Sequence, residues 1–392
     1  MKKWIVLSAG IVLQAILGGI YAWSELSSPL MEEYKLTNGQ TGLIFGATIA
    51  VFTITMIPAG RFLKKFGPRI TASIGAVFFA LGYTIAAMSN GNFAIIFIGI
   101  SIISGIGIGA GYVCPLTVGM KWFPKNKGLV TGVAVAGFGG GAIILSNLAK
   151  YLLENKGWDV LEIFKLIGLG LGALALISAL LMSEPQEDKT QKIHAKTSHE
   201  NLRKFIYNKT YLLLCSGIFA GTFAGLLVIG HLKKILLESG ITETKATLGI
   251  SIYAIGNALG RIVWGQIHDK LKTTKTIMFS LGCMLLSLIP LVLKAPETIL
   301  MIDVALIGMS FGSCFVVYAS SMVKHYGTEL FPRLYPICFL GYGFAGVVGS
   351  PIGGSIRDKT GSFTPGIVVS IAIVATALTL IAITHKALKE TK

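Results

Sequence analysis

The stretch AIGNALGRIVWGQIHDK, residues 254–270, sets one arginine, Arg261, inside a helix that otherwise reads as built for hydrocarbon. No charged residue lies between 246 and 260, and Ile262, Val263 and Trp264 follow directly. A guanidinium at the middle of a bilayer costs from about 3 to more than 10 kcal/mol depending on the reference state, so such a residue marks function before packing. What it does depends on the solvent around its helix.

The rest of the chain names that solvent. Hydrophobic residues make up 53% of 392 and charged residues 13%, with a mean hydropathy of +0.73. A soluble domain carries about 25% charged residues. Twelve apolar runs approach the roughly 20 residues that cross ~30 Å of hydrocarbon: 5–23, 41–60, 70–88, 93–119, 128–149, 162–183, 210–231, 246–267, 275–293, 298–323, 335–356 and 364–384. They lack the polar face of a soluble amphipathic helix. The composition predicts an all-α membrane protein that crosses the bilayer repeatedly. The first run follows Met-Lys-Lys but lacks a small-residue cleavage site, and is expected to remain as the first span.

The net charge of +16 is placed for topology. With both termini in the cytoplasm, most Lys and Arg fall in cytoplasmic segments, the pattern that orients membrane proteins. That placement argues for contact with anionic headgroups and against a nucleic-acid footprint. Cys114, Cys215, Cys283, Cys314 and Cys338 all sit in apolar runs without metal-ligand spacing, and read as small buried hydrophobes. No cofactor or metal is expected, and nothing argues for an oligomer, so a monomer is expected.

The segment SEPQEDKTQKIHAKTSHENLRKF, 183–205, divides six runs from six. The predicted units are 1–183, a cytoplasmic linker at 184–206, and 207–392. The halves echo each other: GRFLKKFG begins at Gly60 and GQIHDKLK at Gly265, while WFP at 122–124 is matched by LFP at 330–332. Paired repeats of this kind belong to transporters whose site lies near the midplane between two bundles.

GRFLKKFGPR (60–69), GQIHDKLK (265–272) and GSIRDKTG (354–361) resemble the cytoplasmic loop motif of the major facilitator superfamily. The resemblance implies latch roles for Gly60, Arg61, Gly67, Arg69, Gly265, Asp269, Lys270, Asp358 and Lys359. Lys64 stands where the motif's acid belongs. GGIYAWSELSSPL (18–30), GIGIGAGYVCPLTVGMKWFPKNKGLVTGVAVAGFGGG (105–141), FAGLLVIGHLK (223–233) and NALGRIVWG (257–265) narrow the likeness to the oxalate/formate antiporter family, relatives of the monocarboxylate transporters. It implies twelve transmembrane helices in two pseudo-symmetric six-helix bundles, in the plasma membrane.

Counting at 1.5 Å per residue from Asp269 places Arg261 roughly 12 Å inside the helix end, near the midplane. Spans 2 to 5 and 7 to 9 offer no acid to pair with it; Glu25 and Asp303 stand at the outer ends of spans 1 and 10. An unpaired cation beside an aqueous cavity is an anion site, and its planar fork suits a carboxylate. The resemblance implies the same role. Asn257, one turn earlier on the same face, replaces the aspartate that animal monocarboxylate transporters carry, so it cannot titrate; it orients Arg261, meets substrate or bonds another helix. Tyr21, Tyr112 and Tyr318 match aromatic positions that line the family's cavity. The oxalate carriers carry a lysine in span 11; this chain has none between 335 and 356, and Tyr342 falls at its place.

One fixed cation suits one carboxylate. The predicted function is secondary transport of a small organic anion, a monocarboxylate such as formate, lactate or pyruvate, driven by protons or a counter-anion. An oxalate/formate exchanger and a non-transporting sensor on the same fold are the rivals. A membrane enzyme would need paired titratable groups at the midplane, so no catalysis is expected. His231 and Lys233 read as a funnel for anions, Gln14 as a weaker candidate for the site, and Trp264, three residues after Arg261, as a packing residue with stacking at the site as the alternative. Lys324 and His325 read as interface anchors. GIGIGAG, 105–111, reads as close helix packing, and Gly346, Gly349 and Pro351 as a softened stretch of span 11 suited to a gate.

Overall fold

The computed structural model describes residues 2–123, 127–185 and 202–384. They form α1 (Lys2–Tyr34), α2 (38–66), α3 (68–87), α4 (Phe93–Trp122), α5 (Lys127–Lys156), α6 (Val160–Leu180), α7 (Lys209–Glu238), α8 (Glu243–Lys270), α9 (Thr273–Val292), α10 (Glu297–Gly327), α11 (Arg333–Thr360) and α12 (Thr364–Ile383). Ten described stretches are long and apolar enough to cross a bilayer, one of which, Asn38–Ala87, holds both α2 and α3. A short helix, Leu202–Ile206, precedes α7. The core of the predicted linker, 186–201, lies outside the described residues, as do Pro124 to Asn126 of the quoted loop motif and the chain beyond residue 384.

Successive helices alternate in direction, so the molecule has a proximal end, where α1 begins, and a distal end, where α1 stops. α2 turns into α3 at Gly67 (φ 79°) and α10 hands over to α11 at Gly327 (φ 74°). Both take a positive φ, which glycine adopts without a Cβ penalty. α2 starts at a capping box in which Thr37 and Gln40 satisfy each other's backbone N–H groups.

Backbone carbonyls lie against glycines at several close helix crossings. A Cβ on Gly141 of α5 would stand 1.8 Å from the carbonyl oxygen of Ala15, and one on Gly18 of α1 1.7 Å from that of Phe138. The 105–111 run packs as expected, Gly109 against Phe52 and Gly107 against Phe79 and Gly75. α1 itself tightens to a 3₁₀ turn at Gly19–Ala22, which carries Tyr21 into the middle of the molecule.

The topology corrects one expectation. Gly60, Arg61, Gly67, Arg69, Gly265, Asp269 and Lys270 lie at the proximal ends of their helices, but Asp358 and Lys359 close α11 at the distal end. The 354–361 segment shares residue types with the proximal loops and not their position, because α11 runs in the opposite sense to α8.

Candidate functional site

Near the midplane, side chains from both halves converge. Arg261 of α8 is 9% exposed, and its Nε donates to Asn257 Oδ1 at 3.4 Å. Its guanidinium carbon lies 4.6 Å from the centre of the Phe315 ring of α10. A cation over a ring face is worth on the order of 1–2 kcal/mol when desolvated, far short of the cost of burying a charge. Among the described residues no carboxylate reaches Arg261 within ion-pair distance. The acids offered by the sequence are elsewhere: Glu25 is bound to Lys233 and Thr247, and Asp303 lies on α10 facing α9.

Facing Arg261 is an aromatic wall with hydroxyls. Tyr21 and Tyr342 share a hydrogen bond of 2.7 Å between their hydroxyls, a bond that joins α1 of one half to α11 of the other. Tyr112 packs edge-on to Phe52 and Phe138, at 5.1 and 5.2 Å between ring centres. The Phe315 ring under the guanidinium packs edge-on to Tyr342 at 5.2 Å, and Tyr342 meets Phe52, the neighbour of Tyr112, at 6.4 Å. Arg261, Asn257, Tyr21, Tyr112 and Tyr342 are thus brought together.

Tyr318 is not among them. Its ring lies over Gly217 of α7, where a Cβ would meet the hydroxyl at 2.4 Å, and that hydroxyl has no hydrogen-bond partner. It fills the α7–α10 seam inside the C-terminal half. Gln14 donates to the Tyr112 carbonyl at 3.2 Å and serves the α1–α4 contact. Trp264 is buried with its indole N–H unpartnered. Lys324, exposed at the proximal end, donates to the His268 carbonyl at 3.1 Å and adds no second cation to the midplane group. Sequence reading missed Phe315, Phe52 and Phe138; an aromatic residue in an apolar run gives no sign of whether it faces a charge.

The distal end is sealed. Asp358 accepts from Asn38 N (3.0 Å), Asn38 Nδ2 (2.8 Å) and Gly39 N (2.7 Å), so a carboxylate of the C-terminal half caps the N-terminus of α2 in the other half. Glu25, fully buried, takes Lys233 Nζ on one oxygen and Thr247 Oγ1 on the other, both at 2.8 Å; Lys233 also reaches Glu243 at 2.8 Å. A Cβ on Gly46 would lie 2.0 Å from the Gly346 carbonyl oxygen, the tightest point of the α2–α11 crossing. His231 is buried and bonded to the Ser350 carbonyl at 2.8 Å. His231 and Lys233 therefore belong to the seal and not to an open funnel: the expected attraction for anions is already satisfied by Glu25 and Glu243. Gly346 is a crossing point of this closure, whereas Gly349 packs against the Phe223 carbonyl of α7 inside the C-terminal half.

Two six-helix bundles sealed at one end, with a buried arginine between them that has no acid partner among the described residues, define a membrane transporter. The sequence profile of the Major Facilitator Superfamily matches residues 7–335, and the chain belongs to that superfamily. It is 24% identical over 374 residues to the oxalate:formate antiporter of Oxalobacter formigenes, covering 94% of this chain and 88% of that one. It is 23% identical to monocarboxylate transporter 11 of Homo sapiens, covering 95% and 80%. Among solved structures, a bacterial homolog of the human lysosomal transporter Spinster, inward-facing and unoccupied, superposes with a TM-score of 0.76 at 13% identity, covering 99% and 97%. A D-xylose–proton symporter gives 0.75 at 15%, covering 95% and 96%. These likenesses carry the fold.

Proposed function

We propose that the protein carries a small organic monocarboxylate across the plasma membrane by alternating access, with the carboxylate held on Arg261. The observation that carries this reading is the buried guanidinium without an acid partner among the described residues. A charge left in low dielectric is stable only with a counter-ion, and a carboxylate offers two oxygens to its planar fork. Asn257 orients the guanidinium, Tyr112 and the Tyr21–Tyr342 pair offer hydroxyls to the anion, and the rings around them receive its apolar body. With both termini cytoplasmic and 184–206 as a cytoplasmic linker, the distal seal faces outward and the site communicates with the cytoplasm. The driving gradient is of protons or of a counter-anion. Gly60, Arg61, Gly67, Arg69, Gly265, Asp269 and Lys270 act at the proximal end when that end closes in its turn.

Tyr342 on α11 speaks for a single carboxylate, because the wall opposite Arg261 offers a hydroxyl and no cation. The likeness to the oxalate:formate antiporter keeps exchange of a dicarboxylate as the second reading. Counterflow separates them. Proteoliposomes preloaded with unlabelled formate, lactate, pyruvate or oxalate are followed for uptake of the same labelled anion. Acceleration by a monocarboxylate and not by oxalate is expected; acceleration by oxalate alone would overturn the assignment of one carboxylate.

A further inference from the structure

Outside the central site, Asp303 is a buried acid with no paired cation among the described residues. Between α9 and α10 a groove of about 420 Å³ is lined on one side by Met278, Phe279, Gly282, Leu286 and Ser287, whose hydroxyl donates to the Cys283 carbonyl of its own helix at 2.8 Å, and on the other by Asp303. Asp303 is 7% exposed, its Oδ2 has no hydrogen-bond partner, and no Lys or Arg among the described residues is paired with it. Phe279, Leu286 and, on α10, Ile302 are exposed around it. Large apolar side chains exposed on membrane-length helices face hydrocarbon, so the groove opens to lipid and not to water. At 1.5 Å per residue Asp303 lies roughly 9 Å along α10 from Glu297, which puts it below the headgroup level of the distal leaflet.

We propose that this groove is a binding site for a phospholipid with a primary ammonium headgroup, phosphatidylethanolamine, drawn from the distal leaflet. A buried carboxylate requires hydrogen-bond donors, and an ionisable side chain inside a membrane takes a partner or a function. The described residues supply no cation, and the groove's largely apolar walls admit one only on an apolar body. A primary ammonium brings three N–H donors and a positive charge, and acyl chains cover Phe279 and Leu286. A phosphatidylcholine headgroup has the charge without the N–H groups and leaves the Asp303 oxygen unsatisfied.

The test uses the full chain reconstituted in an equal mixture of phosphatidylethanolamine and phosphatidylcholine with identical acyl chains, then extracted mildly, with retained lipids counted by mass spectrometry. Wild type is expected to retain phosphatidylethanolamine over phosphatidylcholine by about tenfold, the effect of one charge-assisted bond. Asp303→Asn, which keeps the shape, is expected to bring the ratio near unity. A Cβ at Gly282 meets nothing within 4 Å, so a side chain there starts in open space, and Gly282→Leu is expected to occupy the groove and lower the ratio equally, even if Asp303→Asn folds poorly. Equal retention of the two lipids by wild type, or an unchanged ratio in both variants, would each overturn the proposal.

Discussion

Arg261→Ala and Arg261→Lys are expected to insert in the membrane at wild-type levels and to lose counterflow by roughly 30- to 3000-fold. The range follows from 2–5 kcal/mol for truncating one partner of a buried charge pair, at about 1.4 kcal/mol per tenfold. Lysine is included because it keeps the charge and removes the fork, so a bidentate carboxylate contact fails in both variants. Stability separates this reading from a structural one. Arg261 is held by a 3.4 Å bond to Asn257 and by the Phe315 ring, with no acid partner among the described residues. Replacing such a charge by an apolar side chain is neutral or stabilising. Arg261→Met is therefore expected to raise the midpoint of thermal unfolding or leave it unchanged while abolishing transport. A variant that unfolds at lower temperature and still transports would show that the arginine serves the fold.

The second large effect is expected at the distal seal. Glu25 and Lys233 form an ion pair whose side chains are 1% and 4% exposed, and it links α1 of one half to α7 of the other. Removing one partner of a buried pair leaves an uncompensated charge and costs about 3–5 kcal/mol. That cost falls on the sealed state, because opening the distal end releases the remaining charge to water. Lys233→Met is thus expected to shift the balance towards a distally open state by more than 100-fold. Spin labels at Met88 and Leu293, exposed at the distal ends of the two halves, report it as a longer distance in double electron–electron resonance. Asp358→Asn, which weakens three bonds to the start of α2, is expected to act in the same direction with a smaller shift. Distances unchanged from wild type in both variants would mean that apolar contact at Gly46 and Gly346 alone holds the end closed.

The sequence spoke most clearly where one residue type had one physical reading. Arginine in an uncharged stretch, apolar runs of membrane length and glycines at helix crossings were all legible, because hydrocarbon penalises charge and close backbone approach excludes side chains. Tyr342 was placed opposite Arg261 by the same reasoning that sought a second cation on α11. What failed depended on direction. Asp358 and Lys359 copy a motif found at the other end of the molecule, and a motif carries no record of which way its helix runs. Tyr318 lies in an apolar run like Tyr21 and Tyr112, yet turns to Gly217, since an aromatic position does not reveal which helix it faces. The Glu25–Lys233 pair unites residues far apart in the chain; read alone, Glu25 is an acid at the outer end of span 1 and Lys233 part of a funnel for anions, and only their meeting makes a seal.

The account rests on Arg261 holding the transported anion, and modification of that guanidinium by phenylglyoxal tests it most directly. The purified protein is treated with and without a monocarboxylate that drives counterflow, and the rate at each arginine is mapped by mass spectrometry. The anion is expected to slow modification at Arg261 and to leave the exposed Arg61 and Arg69 unaffected. An anion that is carried yet leaves the rate at Arg261 unchanged would contradict the account.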